Sequence, residues 1–137
     1  MAPGAPGHFR GGVFAVGLPT LHESFWFHGC VEAAVIECQF EFMATLWDSQ
    51  IARKCGANVA DDVQFRTVKT FWEGGIRTPE GRAAGRELDA YLRSDGHRLN
   101  PGTTADLVTA CLFVALREGI LKPTDPFRWH TDEWLPL

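Results

Sequence analysis

From Thr104 to Glu118 apolar side chains run almost all the way round a helix, with Leu107, Val108, Cys111, Leu112, Val114 and Ala115 on successive faces. A helix with so little polar circumference needs neighbours on several sides, which predicts a central helix over about 104–118 in the middle of a bundle. The run is entered through a polar turn, Arg98-Leu99-Asn100-Pro101-Gly102-Thr103-Thr104-Ala105-Asp106-Leu107. Whatever else the chain folds into must surround that helix and hold that turn.

The remaining segments read as helices joined by short polar connections. Thr20-Leu21-His22-Glu23 has the spacing of a capping box and predicts a short helix to about Phe27, closed near Gly29. Val13 to Pro19 is apolar enough for a strand, but no partner strand follows it. Between Cys30 and Trp47, Val31, Val35, Cys38, Phe42 and Leu46 form a helical stripe, with Glu32, Glu37 and Glu41 off it. Phe40, Met43 and Trp47 widen the apolar face and predict burial between two neighbours. Asp48 or Ser49 suits a helix N-cap and Gly56 an interruption, after which Val59, Val63 and Phe71 carry a helix to Glu73, where Gly74-Gly75 stops it. Thr78-Pro79-Glu80 opens the next helix with a cap, a proline at the first position and an acid in the first turn; Ala84, Leu88, Tyr91 and Leu92 are its predicted buried edge. The fold class is therefore all-α, a compact bundle of about five helices. Residues 1–12 read as a flexible start, 13–121 as one helical domain and 122–137 as an irregular tail.

Charge and cysteine usage exclude several classes. The formal charge is −4, from 13 basic and 17 acidic residues mixed along the chain, so there is no basic stripe for nucleic acid or an anionic membrane surface. No window reaches membrane-spanning length without charges, and the glycine- and proline-rich start lacks the apolar stretch of a signal peptide. Four cysteines, without a C-x-x-C pair or a histidine at ligand spacing, suggest reduced thiols in a cytoplasmic protein.

Chemistry concentrates in the turn. Pro101 and Gly102 predict a tight bend in which Gly102 lets the backbone approach a ligand closely. The amides of Thr103, Thr104 and Ala105 would then emerge from a helix N-terminus, where donors and dipole favour phosphate. Capping by Thr103, with Asp106 as its box partner, would explain the same residues by helix formation alone. Arg98 is not needed for capping and strengthens an anion site. Arg53 and Lys54 are a second candidate phosphate grip, and Asp48 and Asp106 can each serve as a general base or bind Mg2+ through nucleotide phosphates. The five histidines have no ligand spacing.

Arg98 to Leu107, followed by Phe113-Val114-Ala115-Leu116, resembles the C-terminal signature of the triphosphoribosyl-dephospho-CoA synthase family. Asp48-Ser49-Gln50-Ile51-Ala52-Arg53-Lys54 with Gly56 is similar to that family's other C-terminal element, and Val16-Gly17-Leu18-Pro19, Gly74-Gly75 and Thr78-Pro79-Glu80-Gly81 fall in the expected order. The resemblance implies an all-helical transferase that joins ATP to 3'-dephospho-CoA, giving 2'-(5''-triphosphoribosyl)-3'-dephospho-CoA and adenine, for the prosthetic group of acyl carrier subunits. It implies ATP as substrate with Mg2+, phosphate contacts from Arg53, Lys54, Arg98, Gly102, Thr103 and Thr104, Asp48 and Asp106 as metal ligands or base, and Asn100 orienting the substrate. A related cofactor-biosynthesis role, or a non-catalytic nucleotide-binding or assembly module, fits the same residues. Since the resemblance covers the C-terminal half of such enzymes, the expected partner is an N-terminal half or a second copy, with some of the five tryptophans at the contact.

Overall fold

The computed structural model describes residues 11–127, and among them every regular element is helical. A π-helical turn, Val13–Gly17, runs without a break into α1 (Leu18–His28). Then come α2 (Val31–Thr45), α3 (Ser49–Cys55), α4 (Ala57–Trp72), a 3-10 turn (Gly75–Arg77), α5 (Pro79–Leu92) and α6 (Gly102–Arg117). The all-α expectation holds. Among the described residues there are six α-helices rather than about five, because Ser49–Cys55 folds as a helix of its own, ended by Gly56 at φ 94°. Residues 1–10 and 128–137, which include Trp129, Trp134 and most of the expected flexible start and irregular tail, lie outside the described residues.

The stretch 13–121 is divided between two units. One combines the described residues up to Phe42 with those from Ala105 onward, and the other is Met43–Thr104. In the first, Leu21, Cys30, Ala33, Ala34, Cys38 and Phe42 are buried with Leu107, Val108, Cys111 and Ala115. Gly29, at φ 70°, closes α1 as expected, its N–H donating to the Phe25 carbonyl. The predicted start at Thr20 is wrong, because Thr20 lies inside the continuous helix and its hydroxyl donates to the Val16 carbonyl at 2.7 Å. The segment considered as a strand is helical for the same reason: no second strand exists among the described residues to satisfy an extended backbone.

Two further expectations in this unit are corrected. Glu32 and Glu37, which lie off the apolar stripe, are nevertheless buried on α2, and His28 meets Glu37 at 3.0 Å with both side chains almost fully covered. The apolar helix α6 is not enclosed all round: Leu107, Val108, Cys111 and Ala115 are buried, but Phe113 is 65% and Leu116 46% exposed. An apolar circumference reports what a helix can bury, not what the chain supplies to cover it.

In the second unit α4 packs on both α3 and α5, and the 3-10 turn packs on α5. Met43, Ile51, Ala60, Val63, Ile76, Leu88 and Leu99 are its buried apolar side chains, with Thr67 and Thr70 returning their hydroxyls to the carbonyls of Val63 and Arg66. Thr78 caps α5 as predicted, accepting from the Gly81 N–H at 3.0 Å, with Pro79 in the first turn. The buried edge of α5 is Gly81, Gly85 and Leu88, while Ala84, Tyr91 and Leu92 are half-buried. At Gly81 a Cβ would coincide with the Gly75 carbonyl, so the helix can approach the 3-10 turn only without a side chain there.

Candidate functional site

Asp48 leaves the helical conformation at φ −75° and ψ 114°, as an N-cap must, and its carboxylate is buried. Oδ1 accepts the N–H groups of Gln50 and Ile51 at 2.9 and 3.2 Å, which caps α3. Oδ2 accepts the N–H and the hydroxyl of Thr104 at 2.8 and 2.9 Å. One carboxylate therefore serves the first turns of two helices, and its two oxygens take four donors, about their full capacity. Beside it the hydroxyls of Ser49 and Thr103 share a 2.7 Å hydrogen bond.

This changes the expected reading of the turn. The Thr104 amide does not stand open for phosphate, because a carboxylate of the chain itself already occupies the place where an α6 dipole favours an anion. Thr103 is not the N-cap: α6 starts at Gly102, and the anionic cap comes from Asp48. Gly102 does permit a close approach, but what approaches is the Gln50 carboxamide, which a Cβ would strike. Asn100 is exposed, and its carbonyl accepts the Gly102 N–H at 2.9 Å to close the bend.

A second grouping gathers the cations. Arg53 and Lys54 project, exposed, from the last turn of α3, where positive charge complements the carbonyl end of a helix. The Arg98 guanidinium donates through Nη2 to the Lys54 carbonyl at 3.3 Å, and its Nη1 lies 3.5 Å from Asp95. The Cys55 thiol donates to the Arg98 carbonyl at 3.6 Å, so the loop before α6 is docked on the end of α3. The second unit thus brings together Asp48 with Thr104, Gln50 with Gly102, and Lys54 with Arg98. It does not contain Asp106, which belongs to the first unit and is exposed.

In the first unit Asp106 stands on the rim of a groove of about 520 Å³ lined by Val13, Phe14, Thr109, Ala110, Phe113 and Val114. Among the described residues no three His, Cys, Asp or Glu side chains are grouped to hold a metal. Sequence reasoning offered Ser49 only as an alternative N-cap to Asp48 and gave no role to Gln50 or to the buried His28–Glu37 pair. Burial, with the charges of Glu37 and Glu23 adding to it, raises the Glu41 carboxyl above its ordinary value. Cys38 is pushed up in the same way by its hydrogen bond to Cys111 and by burial.

Comparison with known proteins gives this arrangement a family. A probable 2-(5''-triphosphoribosyl)-3'-dephosphocoenzyme-A synthase of Pseudomonas putida is 33% identical over 102 residues, 74% of this chain and 36% of that protein. A protein of the same description from Pseudomonas syringae pv. syringae is 29% identical over 106 residues, covering 77% of this chain and 36% of the relative. The chain thus spans a little over a third of the length of these relatives, less than the half expected. No solved structure matches it. The sequence pattern of the ATP:dephospho-CoA triphosphoribosyl transferase family matches residues 11–124, taking in Asp48, the cations and the whole turn into α6, and the chain belongs to that family.

Proposed function

We propose that this chain supplies part of a transferase that converts ATP and 3'-dephospho-CoA to 2'-(5''-triphosphoribosyl)-3'-dephospho-CoA and adenine, for prosthetic-group biosynthesis on acyl carrier subunits. The observation that carries the reading is the family match over 11–124, which includes every residue with a proposed role. In this reaction a 2'-hydroxyl oxygen bonds to the ribose anomeric carbon of ATP, the bond from that carbon to the adenine nitrogen breaks, and the triphosphate stays attached. A base takes the hydroxyl proton and an acid protonates the departing adenine.

The exposed cations Arg53, Lys54 and Arg98 are the groups proposed to hold the triphosphate, since their charges remain presented to solvent. Thr103, Thr104 and Gly102 act on the shape of the turn, and Asp48 is a positioning residue whose lone pairs are taken by four donors. Asp106, exposed and in the other unit, is proposed from the family motif alone as base or Mg2+ contact. Mg2+ would supply charge neutralisation at the triphosphate. Asn100, exposed at the bend, is the proposed orienting group for substrate. Soluble nucleotide substrates fit a cytoplasmic setting, and among the described residues no helix is long and apolar enough to cross a membrane.

Titration of the purified chain with ATP and Mg2+ tests the reading. Saturable binding is expected, weakened at least tenfold in Arg98→Ala with unchanged helical circular dichroism. Absence of saturable binding by a folded sample would overturn the enzyme reading. It would favour a helical assembly module, for which the specific observation is that Asp48 already fills the anion position at α6.

A further inference from the structure

The groove along the π-helical turn and α6 is apolar, and its aromatic walls are exposed. Phe14 is 55% and Phe113 65% exposed, and Leu116, one turn from Phe113 on α6, is 46% exposed. Burying a side chain of this size contributes on the order of 1.5–3 kcal/mol, so leaving three in water is a cost that a covering surface would remove. Phe65 and Trp72 on α4, also exposed, already cover each other in part through an edge-to-face contact at 6.2 Å. Phe14 and Phe113 have no such arrangement, and they flank a carboxylate, Asp106, that belongs to the motif matched by the family.

The relatives show what kind of surface is available to cover it. Each carries nearly two thirds of its length beyond the part that this chain matches, a long stretch of polypeptide available to pack on that part. We propose that the groove lined by Val13, Phe14, Ala110, Phe113 and Val114 is the docking surface for the portion of the family's polypeptide that this chain does not span, and that docking there closes over Asp106 and completes its surroundings. The inference rests on family membership and on the exposed groove, not on the reaction proposed above. The geometry suits it: the rim carboxylate offers an acceptor for a polar group of the incoming polypeptide, while the aromatic walls offer the apolar centre an interface needs.

The test uses the full chain, co-expressed with the Pseudomonas putida relative from which the matching 102 residues have been deleted. A one-to-one complex is expected. It should weaken at least tenfold in Phe113→Glu and in Phe14→Ser, and remain unchanged in Phe65→Glu, all three with wild-type circular dichroism. Maleimide labelling of Phe113→Cys, located by peptide mapping, should slow at least tenfold in the complex. Equal binding by the groove variants, an unchanged labelling rate in the complex, or no complex at all would overturn the proposal. So would a homodimer broken by Phe113→Glu, which would assign the groove to a second copy. ATP affinity is not a readout here, so failure of the transferase reading and failure of the docking surface are separable.

Discussion

Replacing Asp48 with alanine removes an N-cap from α3 and a charged buried acceptor from Thr104. The two losses together are expected to cost about 2–5 kcal/mol in urea unfolding, combining typical values for a cap and for a charged hydrogen bond. Thr103→Ala, which loses only the hydroxyl bond to Ser49, is expected to cost about 1 kcal/mol. The order of the two is the discriminating result, since a capping Thr103 would bring them together. Half of this arrangement was legible locally. Asp48-Ser49 before a helical stretch announces a cap, because the N-cap bonds reach residues two and three positions on. The other half was not, because Thr104 is 56 positions away and no local pattern records which distant donor shares a carboxylate. Gly102 repeats the lesson: the glycine announces a close approach, but nothing nearby says that the approaching atoms are those of Gln50.

The helices were legible as elements wherever their ends are chemically marked. Gly29, Gly56, Gly74 and Thr78 each terminate or cap where the sequence puts them. The N-terminal boundary of α1 was misplaced because the same Thr and Glu spacing that makes a capping box also occurs inside helices, where threonine bonds back to the preceding turn. The tightest junction is between α5 and the 3-10 turn. Gly81→Ala puts a methyl group onto the Gly75 backbone, which has no side-chain freedom with which to retreat. Overpacking of about 1–3 kcal/mol is expected to exceed the gain in helix propensity of up to about 1 kcal/mol, lowering the melting temperature. Gly102→Ala meets only the flexible end of Gln50 and is expected to cost less in the same thermal melts.

Across the molecule, Glu41 of α2 makes one signed contribution to how stability responds to pH. The raised pKa of Glu41 means that the folded state holds its proton more tightly than the unfolded chain does. Its contribution is therefore fully present below the ordinary value of 4.5 and is lost as pH rises through the shifted value. Glu41→Gln is expected to raise the melting temperature at pH 7 and leave it nearly unchanged at pH 4; an equal effect at both would show that the charge is not responsible. Overall class and family motif were readable because they lie in contiguous sequence, whereas burial of Glu32 and Glu37 and exposure of Phe113 depend on which elements come to lie beside them.

The bonds from Thr104 to Asp48 also have a consequence for how the chain is threaded. Residues 43–104 form their own unit between two stretches of the other, so the polypeptide makes an excursion and comes back. Asp48 and Thr104 fasten the two ends of that excursion together. The entropy of closing a loop grows only slowly with its length, about 0.6 kcal/mol for each doubling. Extra residues in the distal turns of the second unit are therefore expected to be tolerated far better than any change at Asp48 or Thr104.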